Sequence, residues 1–195
     1  MKLPLNCEAE YLERFMTPSD ADALYAELNQ LLENTQYKPQ TIDGIIVAVN
    51  FNKIMFIDQE LKDANKFPEP FWGPSRVWTN KLRDLKQQIE QHTGHQFQVC
   101  VLIYYPDGTS GVDYHSDYVA YGDTTVIPSI SLGEERVFCL REKDTGEVFS
   151  QQLKHGSLVV MGKDCQKNYE HALPEDPKYK SPRINLTFRK FGFED

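Results

Sequence analysis

From Phe97 onward the chain is a succession of short apolar, β-branched stretches broken by turn residues, and this patterning narrows its fold more than any other feature. The stretches run Val99 to Tyr105, Val112 to Asp117, Thr125 to Ser131, Arg136 to Arg141, Val148 to Leu153, Leu158 to Met161 and Ile184 to Phe191. Asp107-Gly108, Thr145-Gly146 and His155-Gly156 mark turns between them. Many short strands at this spacing predict a sandwich or jelly roll.

The first half reads differently. Thr17-Pro18-Ser19-Asp20 is a helix start, with Thr17 as N-cap, Pro18 at the first helical position and Asp20 at the capping-box place. Leu24, Leu28, Leu31 and Leu32 supply the apolar stripe. A second helix is expected over Trp78, Leu82, Leu85 and Ile89, stopping at Thr93-Gly94. Between the helices lie strand-like pieces, Ile45 to Val49 and Ile54 to Ile57, and the crowded run Phe67 to Pro74. That run is either a substrate-facing rim, with Trp72 on it, or a packed crossing loop. The expected architecture is α+β and mainly β: N-terminal helices packed on a β-rich barrel.

A chain of 195 residues fits one domain, 1–195, with helices and rim over 1–95 and the barrel over 96–195. No apolar run approaches membrane-spanning length, so a cytoplasmic, monomeric protein is expected. Its four cysteines form no Cys-x-x-Cys pair and read as reduced, mostly buried thiols. The formal net charge of -8 lowers the expectation of tight duplex binding, because phosphate neutralisation supplies most nonspecific affinity.

His115-Ser116-Asp117 sets an imidazole and a carboxylate two apart, on one face if the backbone is extended. A later histidine would complete the two-histidine, one-carboxylate set that leaves positions open on non-haem iron(II). Alone the triplet is weak, since about 0.4 such triplets arise by chance in a chain of this composition. His92, His95, His155 and His171 compete for the third place. The first two flank a helix-ending glycine and His155 precedes a turn glycine, while His171 lies in the closing part of the barrel.

The last strand carries more information. Alternation puts Ile184, Leu186 and Phe188 on one face and Arg183, Asn185, Thr187 and Arg189 on the other. The polar face is either solvated or, beside a metal, a grip for a dicarboxylate.

Taken in order, these pieces resemble the AlkB family over roughly the last hundred residues. Gln88 to Phe97 is similar to the family's helix end. Tyr105-Pro106-Asp107-Gly108 and His115-Ser116-Asp117 resemble its metal-binding start, and Ile130 to Phe138 and His155 to Met161 resemble barrel strands. Glu170 to Pro174 and Pro182 to Arg189 resemble its closing motifs. The resemblance implies a double-stranded β-helix, cupin-like fold and an iron(II)- and 2-oxoglutarate-dependent dioxygenase. It implies His115, Asp117 and His171 as iron ligands and as the catalytic centre. Tyr105, Arg183 and Asn185 would hold the distal carboxylate of 2-oxoglutarate, and Arg189 would lie near its chelating end. With 2-oxoglutarate and O2 consumed, a C–H bond is hydroxylated; on an N-methyl group the product collapses to formaldehyde.

Two departures bear on the substrate. Ile103 stands where the family often has Asn, and Tyr118-Val119-Ala120 stands where repair members carry acids. A cationic methylated base loses its carboxylate partner, while Tyr114 or Tyr118 could still stack on a ring. The substrate is thus either single-stranded or flipped nucleic acid, or a small metabolite or peptide side chain. A non-catalytic binding module has no need of His115, Asp117, His171, Arg183 and Arg189 together.

Overall fold

The structure is a computed structural model that describes residues 1–35, 40–42, 45–47, 52–117, 119 and 121–192. In chain order, β1 (Ala9–Leu12) leads to α1 (Pro18–Glu33), then to β2 (Gln40–Ile42) and β3 (Ile45–Val47). Next come β4 (Asn52–Ile57), α2 (Gln59–Asp63), α3 (Glu69–Trp72), β5 (Ser75–Val77) and α4 (Asn80–Thr93). The barrel region holds β6 (Val99–Tyr105), β7 (Val112–His115), β8 (Ile127–Gly133), β9 (Arg136–Glu142), β10 (Val148–Leu153) and β11 (Ser157–Met161). It closes with α5 (Cys165–Asn168), β12 (Tyr169–Leu173) and β13 (Arg183–Arg189).

The caps behave as their residues dictate. Thr17 Oγ1 accepts the Asp20 backbone N–H at 3.2 Å, and Pro18 occupies the first turn of α1. α4 begins later than expected: Thr79 is its N-cap, so Trp78 precedes the helix. Trp78 is instead a core residue, donating Nε1–H to Asp58 Oδ1 at 2.6 Å and stacking on Phe188. Gly94 ends α4 in the left-handed region (φ 74°), where a side chain would be strained.

Two sheets form the barrel. The larger has the order β1-β11-β8-β13-β6-β4-β5 and the smaller β10-β9-β12-β7; a separate pair joins β2 to β3. Three strands from the first half, β1, β4 and β5, therefore extend the sheet that carries β13. The outer face of that sheet presents Ile184, Leu186, Phe188, Cys100, Leu102, Ile54 and Phe56 to Leu24, Leu28, Leu82, Leu85 and Ile89 of α1 and α4. Fully burying each such aliphatic or aromatic side chain contributes about 1.5–3 kcal/mol, which fixes the helices to one side.

Between the sheets lie two further clusters, one around Ile127, Leu140, Val159 and Tyr169, the other around Met55, Ile57, Phe67, Val99 and Val101. The polar face of β13 shares this interior. Arg183 is 2% exposed, and Thr187 and Arg189 are also buried, so that face is not solvated.

Candidate active site

β7 and β12 are antiparallel neighbours in the smaller sheet, with His115 opposite His171, so both imidazoles leave the same face. Their ring centroids are 4.4 Å apart. The strand expected through Asp117 stops at His115, so the carboxylate arrives from the segment after β7 and not by strand alternation. Two contacts from distant elements place it. Gln166 Oε1 accepts the Asp117 backbone N–H at 2.7 Å, and Arg189 Nη2 donates to Asp117 Oδ1 at 2.6 Å.

The three ligand atoms lie within 4.8 Å of one another, with Asp117 Oδ1 at 3.9 Å from His115 Nε2 and 3.8 Å from His171 Nε2. Burial pulls the His171 pKa down to about 4, outweighing the nearby Asp117 carboxylate, so its imidazole is neutral near pH 7. The close approach to Asp117 is therefore not an ion pair but two lone-pair donors facing one point. His115 Nδ1 lies 2.7 Å from the Asp113 carbonyl oxygen; donating that proton leaves Nε2 free to bind a cation. Asp117 Oδ2 is buried without a hydrogen-bond partner. A buried carboxylate set beside two imidazoles, with one oxygen unpartnered, fits a divalent metal such as iron(II).

The β13 face continues from this cluster. Arg183 Nη2 donates to Ser131 Oγ at 3.0 Å and to Asn185 Oδ1 at 3.2 Å, while its buried Nε has no partner. Desolvation lowers its pKa to about 10, which leaves a full cation with no carboxylate among the described residues. Tyr105 packs under it, its ring centroid 5.5 Å from the guanidinium carbon. Asn185 also accepts from Ser129 Oγ and donates to Thr187 Oγ1, both within 2.8 Å. At the other end, Arg189 Nε and Nη1 are buried and unpartnered. Two desolvated guanidiniums with unused donors, one beside the triad and one further along the strand, suit an extended dicarboxylate such as 2-oxoglutarate.

Of the expected substrate residues, Trp72 packs 5.2 Å from Phe67 and 5.3 Å from Tyr121, and the Tyr121 ring lies 5.4 Å from the Arg189 guanidinium. The Phe67–Pro74 run is thus both packed and contiguous with the site, with Phe71 left 77% exposed. Tyr114 sits on the opposite face of the smaller sheet from His115, covered by Arg141 at 3.9 Å, and is not brought to the triad. Tyr118 lies outside the described residues. His92 and His155 are used elsewhere: His92 Nε2 meets Glu10 Oε1 at 2.6 Å, and His155 Nδ1 accepts the Gly133 N–H at 2.9 Å.

Sequence reasoning missed Gln166, Arg136 and Tyr121. Gln166 gives no local signal, being one polar residue in a four-residue helix. Arg136 opens a strand, where an arginine reads as solvated. It is instead fully buried between the Tyr105 and Tyr179 rings, donating to the carbonyls of Asp107, Ser110 and Pro174.

The chain is similar to several known proteins. The alkB homolog 3 dioxygenase of Mus musculus is 35% identical over 132 residues, covering 63% of this chain and 44% of that protein. The DNA oxidative demethylase ALKBH2 of Bos taurus is 34% identical over 126 residues, 59% of this chain and 45% of that one. Uncharacterized protein R406 of Acanthamoeba polyphaga mimivirus is 31% identical over 137 residues, 70% of this chain and 68% of that protein. The chain thus spans under half the length of the first two. A solved structure, that of OsALKBH1, superposes with a TM-score of 0.63 at 14% identity over 96% of this chain and all of that one, which supports the double-stranded β-helix fold. A family model described as the 2OG-Fe(II) oxygenase superfamily matches residues 8–189. The chain therefore belongs to the 2OG-Fe(II) oxygenase superfamily and is AlkB-like within it, a family whose cofactors are iron(II) and 2-oxoglutarate.

Proposed function

We propose that this chain, as one domain over 1–195 acting as a cytoplasmic monomer, removes N-alkyl groups from nucleobases in single-stranded or flipped nucleic acid. The observation that carries the reading is the buried Asp117 carboxylate, whose Oδ1 faces both imidazoles and is bonded to Arg189 while its Oδ2 is left unpartnered. His115, Asp117 and His171 would hold the iron. Bound iron(II) with 2-oxoglutarate would supply the oxidising chemistry, consuming O2, releasing succinate and CO2 and converting a substrate C–H to C–OH.

The chain's residues orient the participants. Arg183, with Tyr105 and Asn185 beside it, takes the distal carboxylate of 2-oxoglutarate. Arg189 fixes the Asp117 rotamer and turns its remaining donors to the chelating end. Trp72 and Tyr121 wall the neighbouring side of the interior, where an apolar surface excludes water and a base can stack.

Charge on that face favours a neutral adduct. Lys53 pairs in register with Ile103, which pairs with Asn185, so the three share the interior face. Burial lowers the Lys53 pKa, and among the described residues no carboxylate meets its ammonium. Val119, where acids would meet a cationic base, is an exposed apolar residue. The same two observations favour, as a second reading, hydroxylation of an anionic or neutral metabolite or peptide side chain.

The experiment has two parts. Iron stoichiometry in His115→Ala, His171→Ala and His155→Ala should fall in the first two only; full occupancy in His171→Ala would sink the ligand assignment. Succinate release is then scored on oligonucleotides bearing neutral or cationic N-methylated bases beside a metabolite panel. Turnover of neutral adducts at least as fast as cationic ones is expected. Turnover confined to a metabolite would move the function to the second reading.

A further inference from the structure

The first residues of the chain are laced to α5 and the turn before it. Glu8 N–H donates to the Lys163 carbonyl at 2.9 Å, Gly162 N–H donates to the Glu8 carbonyl, and Asn168 Nδ2 donates to the Asn6 carbonyl, the last two at 2.6 and 2.8 Å. The Asn6 backbone N–H in turn donates to Tyr169 Oη at 2.8 Å. This lacing brings the segment carrying Cys7 onto Cys165. Cys165 Sγ lies 3.4 Å from the carbonyl oxygen of Glu8, the residue after Cys7, and Cys7 packs against the same buried cluster as Cys165. Cys165 is buried at the start of α5, whereas Cys7 is half-exposed on the same cluster.

We infer that Cys7 and Cys165 are a reversible redox site, closing a disulfide that staples the N-terminal segment to α5 when the surroundings turn oxidising. The pair is asymmetric in the way such chemistry requires. The Cys165 side chain holds the Cys7 thiol below its usual pKa while its own pKa is raised, so the accessible sulfur is the better nucleophile and the sheltered one completes the reaction. With a low-molecular-weight disulfide as oxidant, the Cys7 thiolate attacks one of its sulfurs, forming a mixed disulfide and releasing one thiol. Cys165 then loses its proton and attacks the Cys7 sulfur; the Cys7–Cys165 bond forms and the second small thiol leaves. Two protein thiols are oxidised and one small disulfide is reduced. The cross-link encloses most of the chain, so it raises stability chiefly by restricting the unfolded state. It also clamps the helix whose Gln166 holds the Asp117 backbone.

The full-length protein is equilibrated in oxidised and reduced glutathione mixtures, quenched with a maleimide and digested without reductant. Of its four thiols, the Cys7 and Cys165 peptides should be recovered joined and two hydrogens lighter, while Cys100 and Cys139 stay alkylated. The thermal midpoint should rise by about 5 °C or more and return on reduction. Cys7→Ser, at a half-exposed position, should fold, keep four minus one alkylated thiols and show no shift. Recovery of Cys7 only as a glutathione adduct, any other pairing, or the same shift in Cys7→Ser would overturn the assignment, as would four free thiols in the most oxidising mixture.

Discussion

Arg189 and Arg183 differ in what they hold, and that difference separates their expected phenotypes. Arg189 is bonded to Asp117, so Arg189→Met should loosen a ligand and weaken iron(II) by about 10- to 100-fold, the usual cost of removing a group that orients a ligand. Arg183 touches no ligand, and Arg183→Met should weaken 2-oxoglutarate by about 2–3 kcal/mol with iron affinity unchanged. Parallel titrations of iron and 2-oxoglutarate check both; a larger 2-oxoglutarate loss in Arg189→Met would reverse the roles. Arg136→Met removes, from a fully buried position, the guanidinium that donates to the carbonyls of Asp107, Ser110 and Pro174, at a cost of about 3 kcal/mol in urea unfolding. Titratable triplets and a strand with two arginines are legible in a sequence because each is local. Arg136 and Gln166 are not, because their partners lie on other elements.

Elements with their own stop signals, α1 and α4, follow the sequence closely, and Thr17→Ala should cost about 1 kcal/mol by removing the acceptor for Asp20 N–H. Gly133 (φ 83°) ends β8 where an added Cβ would lie 2.4 Å from the Pro182 carbonyl oxygen, so Gly133→Ala should be among the most damaging single-methyl changes, lowering the thermal midpoint by several degrees. The sequence shows the alternation of β13 but not its neighbours. That β1 pairs with β11 and β4 with β6 depends on tertiary register, which no local window carries. For the same reason the sequence does not show that β7 ends two residues early, with Asp117 off the ladder and held by Arg189 and Gln166 from distant elements.

At the scale of the whole molecule, a net charge of -8 opposes a polyanion. Affinity for an unmodified single strand at about 150 mM salt should sit near the weak end of nonspecific binding, about 10⁻⁴ M, and fall further as salt rises. Submicromolar binding indifferent to salt would contradict that. β13, late in the chain, is inserted between β8 and β6 near the middle of the larger sheet. During synthesis, therefore, a nascent chain complete through β12 still lacks its keystone: two hydrogen-bonding edges stand open and neither site arginine has emerged. The candidate metal site can be finished only after translation has passed Arg189, so the interval between β12 and β13 is when this chain has most need of a chaperone and when a ribosomal pause would do most harm.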